Sequence, residues 1–303
     1  MADTLALTVA GLLGLVIGSF LNVIIVRLPR MMQRQWALEV GLWLAEQDGV
    51  SSVDLPSAPT GAREMAAATA CDQTNAEPAY NLARPGSHCP ACGHVLSWWE
   101  NIPLLSYLVL RGRCRVCKGA IGWRYPAVEL LTAALFAACA WRWGVSAPAL
   151  VWAGFAAVLL ALACIDWDTQ LLPDALTLPL LWGGLMVAAL GWSGTALVDA
   201  LWGAVAGYLL LWLVYHGFKA ATGRHGMGQG DFKLLAALGA WLGWQALAPL
   251  LLLASAGGAL VGIGLRVSGR LGAGQPLAFG PYLVLAGWLM MFFPTLTAQW
   301  IWP

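Results

Sequence analysis

Residues 231–265 read DFKLLAALGAWLGWQALAPLLLLASAGGALVGIGL. After Lys233 this stretch has no charged side chain, and it is longer than the ~20 apolar residues that cross a bilayer core. The polar and glycine-containing sequence Gly243-Trp244-Gln245 predicts a turn within it. The stretch therefore predicts two consecutive membrane helices, 232–245 and 246–266.

The rest of the chain has the same character, since 60% of its 303 residues are hydrophobic and only 10% are charged. An ordinary soluble domain has about 25% charged residues. The net charge of +1 provides no basic surface for nucleic acid. We predict an all-α polytopic membrane protein with about eight transmembrane helices. The predicted spans are 5–28, 127–143, 148–165, 175–191, 196–217, 232–245, 246–266 and 276–293.

One long insertion follows the first span. Between Pro29 and Tyr125 it carries nine Lys/Arg and eight Asp/Glu, more than half of all the charges in the chain. We therefore predict three parts: the first span at 1–28, a small zinc-stapled domain at 29–126, and a membrane domain of about seven spans at 127–303. Residues 45–80 are rich in Ala, Ser, Thr, Asp, Glu and Pro, and we predict a mobile loop over 35–80.

Positive charges predict the orientation, because cytoplasmic flanks of membrane spans carry the excess of Lys and Arg. If there are eight spans, the Lys and Arg residues that flank them all lie on one side of the membrane, except for Arg142. This distribution predicts that both termini are outside and that the insertion and the loops 166–174 and 218–231 are cytoplasmic. The positive residues that flank the spans on the predicted cytoplasmic side are Arg27, Arg30, Arg34, Arg111, Arg113, Arg115, Lys118, Arg124, Lys219, Arg224, Lys233, Arg266 and Arg270.

The insertion contains two Cys-x2-Cys pairs, CPAC (89–92) and CRVC (114–117), which are 21 residues apart. Four thiolates form the ligand set of a closed, structural Zn²⁺ site, whereas a catalytic zinc keeps an open position. Two disulfides or four free thiols are the alternatives, and a reducing cytoplasm disfavours disulfides. His88 and His94 flank the first pair as competing ligands or solvated loop residues. The predicted zinc ligands are Cys89, Cys92, Cys114 and Cys117.

Carboxylates border the apolar spans at two places. The segment IDWDTQLLPD (165–174) follows the third span, and Asp231 begins the sixth. The predicted topology brings both places to the cytoplasmic membrane face. Two carboxylates about 3 Å apart share one proton, so that one can activate water while the other donates to a carbonyl oxygen. This arrangement is suited to aspartic-type hydrolysis of an amide.

Each of these carboxylates also has a structural explanation. Asp174 and Asp231 are suited to cap helices, and Asp168 to lie solvated in a loop. Asp166 is the hardest to explain in this way, because it follows the apolar run LLALACI directly. We therefore predict Asp166 and Asp231 as the catalytic pair, with the roles of Asp168 and Asp174 left open.

Glycines precede Asp231 in the sequence GMGQGDFK (226–233). Glycine permits unusual backbone conformations and close approach of another chain. We predict that Gly228 and Gly230 leave room for an extended peptide substrate, although a flexible loop explains them equally. Lys233 either stabilises the charge of Asp231 or anchors the helix at the interface.

These motifs together resemble the type IV prepilin peptidases, membrane aspartic proteases of the GxGD class. GQGDFK (228–233) is similar to their GxGD-x-K motif, and IDWDTQLLPD is similar to the segment with their other catalytic aspartate, which matches Asp166. GSFLNVIIVRLP (18–29) resembles their amino-terminal signature. Residues 83–132 resemble the cytoplasmic domain of their bifunctional bacterial members, although His88 stands where many relatives have Arg.

The resemblance implies cleavage of type IV prepilin or pseudopilin precursors after a glycine, at the cytoplasmic face of the bacterial inner membrane. It also implies methylation of the new amino terminus with S-adenosylmethionine, and no residue pattern locates the methyl-donor site. A peptidase without methyltransferase activity is the nearest alternative. A channel or transporter with a zinc-stapled regulatory domain is a further one, but it predicts acids near mid-bilayer rather than at span ends.

Overall fold

The computed structural model describes residues 4–48, 80–224, 227–269 and 277–294. These residues form helices joined by short loops, and their only β-pairs are two isolated bridges. The helices are α1 (Thr4–Asp48), α2 (Leu105–Val109), α3 (Arg124–Trp143), α4 (Ala147–Thr169), α5 (Asp174–Ala189), α6 (Leu197–Thr222), α7 (Gln229–Leu242), α8 (Leu247–Val267) and α9 (Gly280–Phe292).

All eight predicted spans coincide with helices, which confirms the all-helical prediction for the described residues. Four helical stretches are long and apolar enough to cross a membrane, and α5 and α9 are shorter apolar helices. The predicted turn also occurs, as Gly243 has φ +84° and is followed by a 3-10 turn at Trp244–Ala246. The four long stretches are Thr4–Leu44, Ala147–Thr169, Leu197–Thr222 and Trp244–Val267.

The first helix differs from the expectation. Helix α1 is 45 residues long and continues through Pro29 as far as Asp48. Residues 35–48 are therefore helical and not part of a loop. The segment MMQRQWALEVGLWLAE (31–46) is rich in strong helix formers, which explains the extension. The remainder of the predicted loop, 49–79, lies outside the described residues.

Small residues allow the apolar helices to approach each other closely. Helix α6 meets α7 at Gly203 and Gly239, where a Cβ on either glycine would overlap the backbone of the other. Helix α1 meets α3 at Gly14 and Gly18 in the same manner. Apolar lipid provides little hydrophobic drive for helix association, so close packing of small residues is a main source of stability.

Polar contacts tie the cysteine-containing region to the bundle. Arg27 of α1 donates to the carbonyls of Asn81 and Leu82, and Asn22 of α1 donates its side-chain amide to the carbonyl of Tyr125, in the first turn of α3, at 3.0 Å. The buried Glu129 of α3 accepts the N–H of Leu104 at 2.8 Å, immediately before α2. Because Glu129 lies in the second turn of α3, this contact holds α2 close to the N-terminal end of α3.

Candidate active site and metal centre

Asp166 lies in the last turn of α4. This helix is almost entirely apolar, and its C-terminal residue Gln170 closes it in the left-handed conformation by donating its N–H to the Asp166 carbonyl. The helix thus continues one turn beyond the apolar run, which places the carboxylate at the end of the bundle. The side chain is buried, with only 5% of the residue exposed.

Asp231 lies in the first turn of α7, three residues after the N-terminal cap Gly228. It is buried to the same degree as Asp166, with 6% exposed. The two carboxylates lie within electrostatic range of each other although they are 65 positions apart in the sequence. The fold therefore brings together the two acids that the sequence singles out.

A third helix contributes to this site. The backbone N–H of Gly280, at the start of α9, donates to Asp166 Oδ2 at 2.9 Å. A Cβ at Gly280 would lie 2.6 Å from that same oxygen, so only glycine fits without displacing the carboxylate. Sequence reasoning missed this residue. The signal was the Phe-Gly-Pro sequence at 279–281, where a glycine and a helix-starting proline open the last span.

The other acids of the 165–174 segment have cationic partners. Asp168 forms an ion pair with Arg124 of α3. Asp174 accepts two hydrogen bonds from Lys233 Nζ, at 2.6 and 2.7 Å. Within the described ranges, neither Asp166 nor Asp231 has such an ion pair. This difference separates the two central carboxylates from their neighbours.

The motif glycines have a different environment from the one expected. A Cβ on Gly230 would lie 2.7 Å from Leu172 Cβ, so the space beside this glycine holds the loop that connects α4 to α5. Gly228 has an ordinary extended conformation, with φ −74°. A Cβ there would lie 3.6 Å from Asp231 Oδ2, at normal contact distance. Gly226 lies outside the described residues.

The four predicted metal-binding cysteines form one cluster, in which all Sγ atoms lie within 4.8 Å of one another. Cys89 Sγ is 3.8 Å from Cys117 Sγ, and Cys92 Sγ is 4.0 Å from Cys114 Sγ. A tetrahedral site with Zn–S bonds of about 2.3 Å has S···S edges of about 3.8 Å. All four thiols are free and close enough together to serve as ligands of one metal ion.

The two cysteine loops have the same local geometry. Isolated bridges join His88 to Val95 and Arg113 to Ala120. In each loop the bridge therefore pairs the residue just before the loop's first cysteine with the sixth residue after that cysteine. Backbone N–H groups of Ala91 and Cys92 lower the pKa of Cys89 to about 7, which favours the thiolate. Each loop thus contributes two cysteines to the cluster from the same backbone arrangement.

The histidines beside the first cysteine loop have other partners. His88 Nδ1 lies 3.0 Å from the carbonyl of Gly86. His94 Nε2 lies 3.3 Å from Glu100 Oε2, which also accepts the N–H of Ser97. The Ser97 N–H and then His94 hold the pKa of Glu100 below its usual range. Both histidines therefore support the loop, and the cluster within the described residues consists of cysteines alone.

The fold and the two sites define a class: a helical membrane protein with a buried pair of aspartates and a separate four-cysteine centre. The chain belongs to the type IV leader peptidase family. Residues 12–143 match the bacterial peptidase A24 N-terminal domain, and residues 153–263 match the type IV leader peptidase family model.

Curated relatives match over nearly the whole chain, and each is named prepilin leader peptidase/N-methyltransferase. The protein of Aeromonas hydrophila is 49% identical over 95% of this chain and 91% of its own length. Those of Stutzerimonas stutzeri and Pseudomonas aeruginosa are 48% and 47% identical, each over 92% of this chain and 88% of their own length. No solved structure matches the chain.

Proposed function

We propose that this protein cleaves the leader from type IV prepilin-like precursors and then methylates the new amino-terminal residue. The observation that carries the peptidase assignment is the buried pair Asp166 and Asp231 at one end of the bundle. Family membership and the shared name of the relatives support both activities.

The hydrolysis that we propose uses one proton shared by the two carboxylates. When the two carboxylates close on the substrate to about 3 Å, they cannot both be ionised, so one group stays protonated. The ionised carboxylate takes a proton from a water molecule, whose oxygen attacks the scissile carbonyl carbon. The protonated carboxylate donates to the carbonyl oxygen, and collapse of the tetrahedral intermediate releases the leader. The Gly280 N–H orients Asp166 for these steps.

The location of the pair suits a substrate with a charged leader and an apolar helix. If α4 and α7 cross the membrane as proposed, Asp166 and Asp231 lie at its cytoplasmic face. The leader can then remain in the cytoplasm while the apolar helix stays in the bilayer of the bacterial inner membrane. Positive charges on the same side support this orientation, with both termini outside.

We assign a structural Zn²⁺ to Cys89, Cys92, Cys114 and Cys117, because their Sγ spacing suits a tetrahedral ion. With four protein ligands the ion has no open position for substrate, so it stabilises the fold of this region. We assign the methyl transfer, with S-adenosylmethionine as donor, to the same cytoplasmic region. Elemental analysis of freshly purified protein tests the metal, and we expect one zinc per chain.

The decisive experiment mixes purified protein with a prepilin in detergent and follows the shift in mass of the product. Asp166→Ala and Asp231→Ala should each abolish cleavage. Asp168→Ala is the matched control, since it removes an acid from the same segment. The partner of that acid is Arg124. Full cleavage by Asp166→Ala, with loss in Asp168→Ala, would contradict the assignment of the pair.

The mass of the product also separates the alternatives. A cleaved but unmethylated terminus, in the presence of methyl donor, would indicate a peptidase alone. No cleavage of any pilin-like precursor, together with ion flux in liposomes, would indicate the channel or transporter.

A further inference from the structure

An apolar groove lies between α4 and α5, with a volume of about 500 Å³. Helix α4 lines it through Leu150, Gly154 and Val158, and α5 lines it through Leu176 and Pro179. Leu150 is 63% exposed at its rim. Because α4 and α5 are membrane helices in the proposed topology, this groove opens sideways to the bilayer.

The groove exists because α5 packs against α7 instead of its sequence neighbour α4. Trp241 of α7 donates its indole N–H to the carbonyl of Leu180 at 2.8 Å, and a Cβ on Gly184 would overlap its ring. The same ring packs at a tilt against Phe155 of α4, with centroids 4.6 Å apart. Trp241 therefore forms a fixed floor that keeps α4 and α5 apart.

The groove reaches the loop between α4 and α5, since Ala175 and Leu176 in the first turn of α5 line it. Asp166 lies eleven residues after Phe155, and eleven residues make about three full turns at 3.6 residues per turn. Its side chain thus projects from nearly the same face of α4, roughly 16 Å further along at 1.5 Å per residue. At that end Leu172 packs beside Gly230, next to Asp231.

We propose that this groove binds the apolar helix of the substrate and so delivers the scissile bond to Asp166 and Asp231. This inference rests on the proposed function. A helix lying along α4 and α5 would have its cytoplasmic end at the depth of the carboxylates. The open surface at Gly154, where a Cβ would meet nothing within 4 Å, gives such a helix room for close backbone contact.

The same argument favours a peptide helix over a lipid chain. A lipid tail could cover the apolar surface, but it has no connection to the carboxylates at the end of the groove. The substrate must hold a peptide bond at those carboxylates while its apolar segment remains in the membrane. The groove meets both requirements, because it is apolar and reaches the loop beside those carboxylates.

The first experiment fills the groove with Gly154→Phe and compares two substrates. One is a full-length prepilin, and the other is a soluble peptide with the leader and cleavage site but without the apolar helix. We expect KM for the prepilin to rise by about tenfold, an ordinary cost of overpacking. Cleavage of the peptide should stay within about twofold. Gly11→Phe in α1 is the control, since that glycine also has nothing within 4 Å of its Cβ position.

Either an unchanged KM for the prepilin or an equal loss with both substrates would overturn the proposal. Failure of the unsubstituted protein to cleave either substrate would overturn the proposed function instead, so the two failures differ.

The second experiment does not require the protein to fold with a large side chain in place of Gly154. A photoreactive residue replaces Leu150 at the rim of the groove, or Leu12 on the exposed side of α1 as the control. In liposomes with the catalytically inactive Asp231→Ala background, we expect a covalent adduct with the prepilin at position 150 and none at position 12. Adducts with lipid alone at position 150 would contradict the proposal.

Discussion

The aspartate pair and the cysteine cluster are built in opposite ways. The cysteine cluster comes from two short loops of the same local geometry, each closed by a bridge between flanking residues. The aspartate pair depends on the ends of α4 and α7, together with a backbone N–H from α9 that is 114 positions away from Asp166. The first site is therefore a property of local sequence, and the second is a property of helix packing.

This difference suggests that the two sites can be damaged independently. The polar contacts that join their regions include Arg27 with Asn81 and Leu82, Asn22 with Tyr125, and Glu129 with Leu104. A change in one site should then spare the activity of the other, unless it breaks one of these contacts. Four predictions test this independence.

The largest effect is expected from Cys89→Ser. Structural Zn²⁺ contributes about 10–16 kcal/mol to the folding of small zinc domains, so losing one ligand should unfold the region and eliminate methylation. Cleavage should persist, because the aspartate pair makes no contact with the cluster. Mass spectrometry of the product measures both activities. Val116→Ser is the control, as Val116 is an exposed residue of the second loop and not a ligand. Loss of cleavage as well would show that the sites are coupled.

A large effect on the other site is expected from Gly280→Ala. The added methyl group would lie 2.6 Å from Asp166 Oδ2 and displace the carboxylate. A misplacement of about 1 Å at a catalytic group can cost about 100-fold in rate, and we expect a loss of cleavage of that order. Methylation of a pilin that has already been cleaved should be unchanged. Gly264→Ala in α8, where a Cβ meets nothing within 4 Å, should behave like the original protein.

The contrast also explains which features could be predicted from the sequence. The cysteine spacing alone predicted the cluster, because both loops close over a few residues. The turn at 243–245 was also predictable, since glycine and polar residues interrupt an apolar run. Asp166 and Asp231 were identifiable as acids at the ends of spans, but only the packing of α9 against both α4 and α7 brings them together.

Other features depend on contacts that no local pattern records. Lys233 pairs with Asp174 rather than Asp231 because the helix has already begun at Gln229, which turns the two side chains apart. Gly230 makes room for Leu172, a residue far away in the sequence. The sequence prediction missed the continuation of α1 to Asp48. It began the loop at residue 35, although the loop-like composition starts only further along the chain.

A smaller effect is expected from Glu129→Ala, which breaks a contact between the two regions. Leaving the Leu104 N–H unpaired costs about 1–3 kcal/mol, so amide exchange at Leu104 should accelerate by about 5- to 150-fold. Hydrogen exchange followed by mass spectrometry measures this rate. Glu129→Gln keeps an acceptor oxygen and should stay within about threefold of the original protein. Equal acceleration in both variants would mean that the charge, and not the hydrogen bond, holds the regions together.

The smallest effect is expected from Lys233→Ala. Lys233 and Asp174 form a partly exposed ion pair, with 32% and 55% of their side chains accessible. Such pairs contribute about 0.2–1 kcal/mol, so cleavage should fall by no more than about fivefold. The double variant Lys233→Ala/Asp174→Ala should be no worse than either single one, because each substitution removes the same interaction. A loss as complete as that of Asp231→Ala would assign Lys233 a direct role at the carboxylates. In that case Lys233 would join Asp166, Asp231 and the Gly280 N–H as a fourth group of the aspartate site. Its ion pair with Asp174 would hold it away from the carboxylates in the absence of substrate.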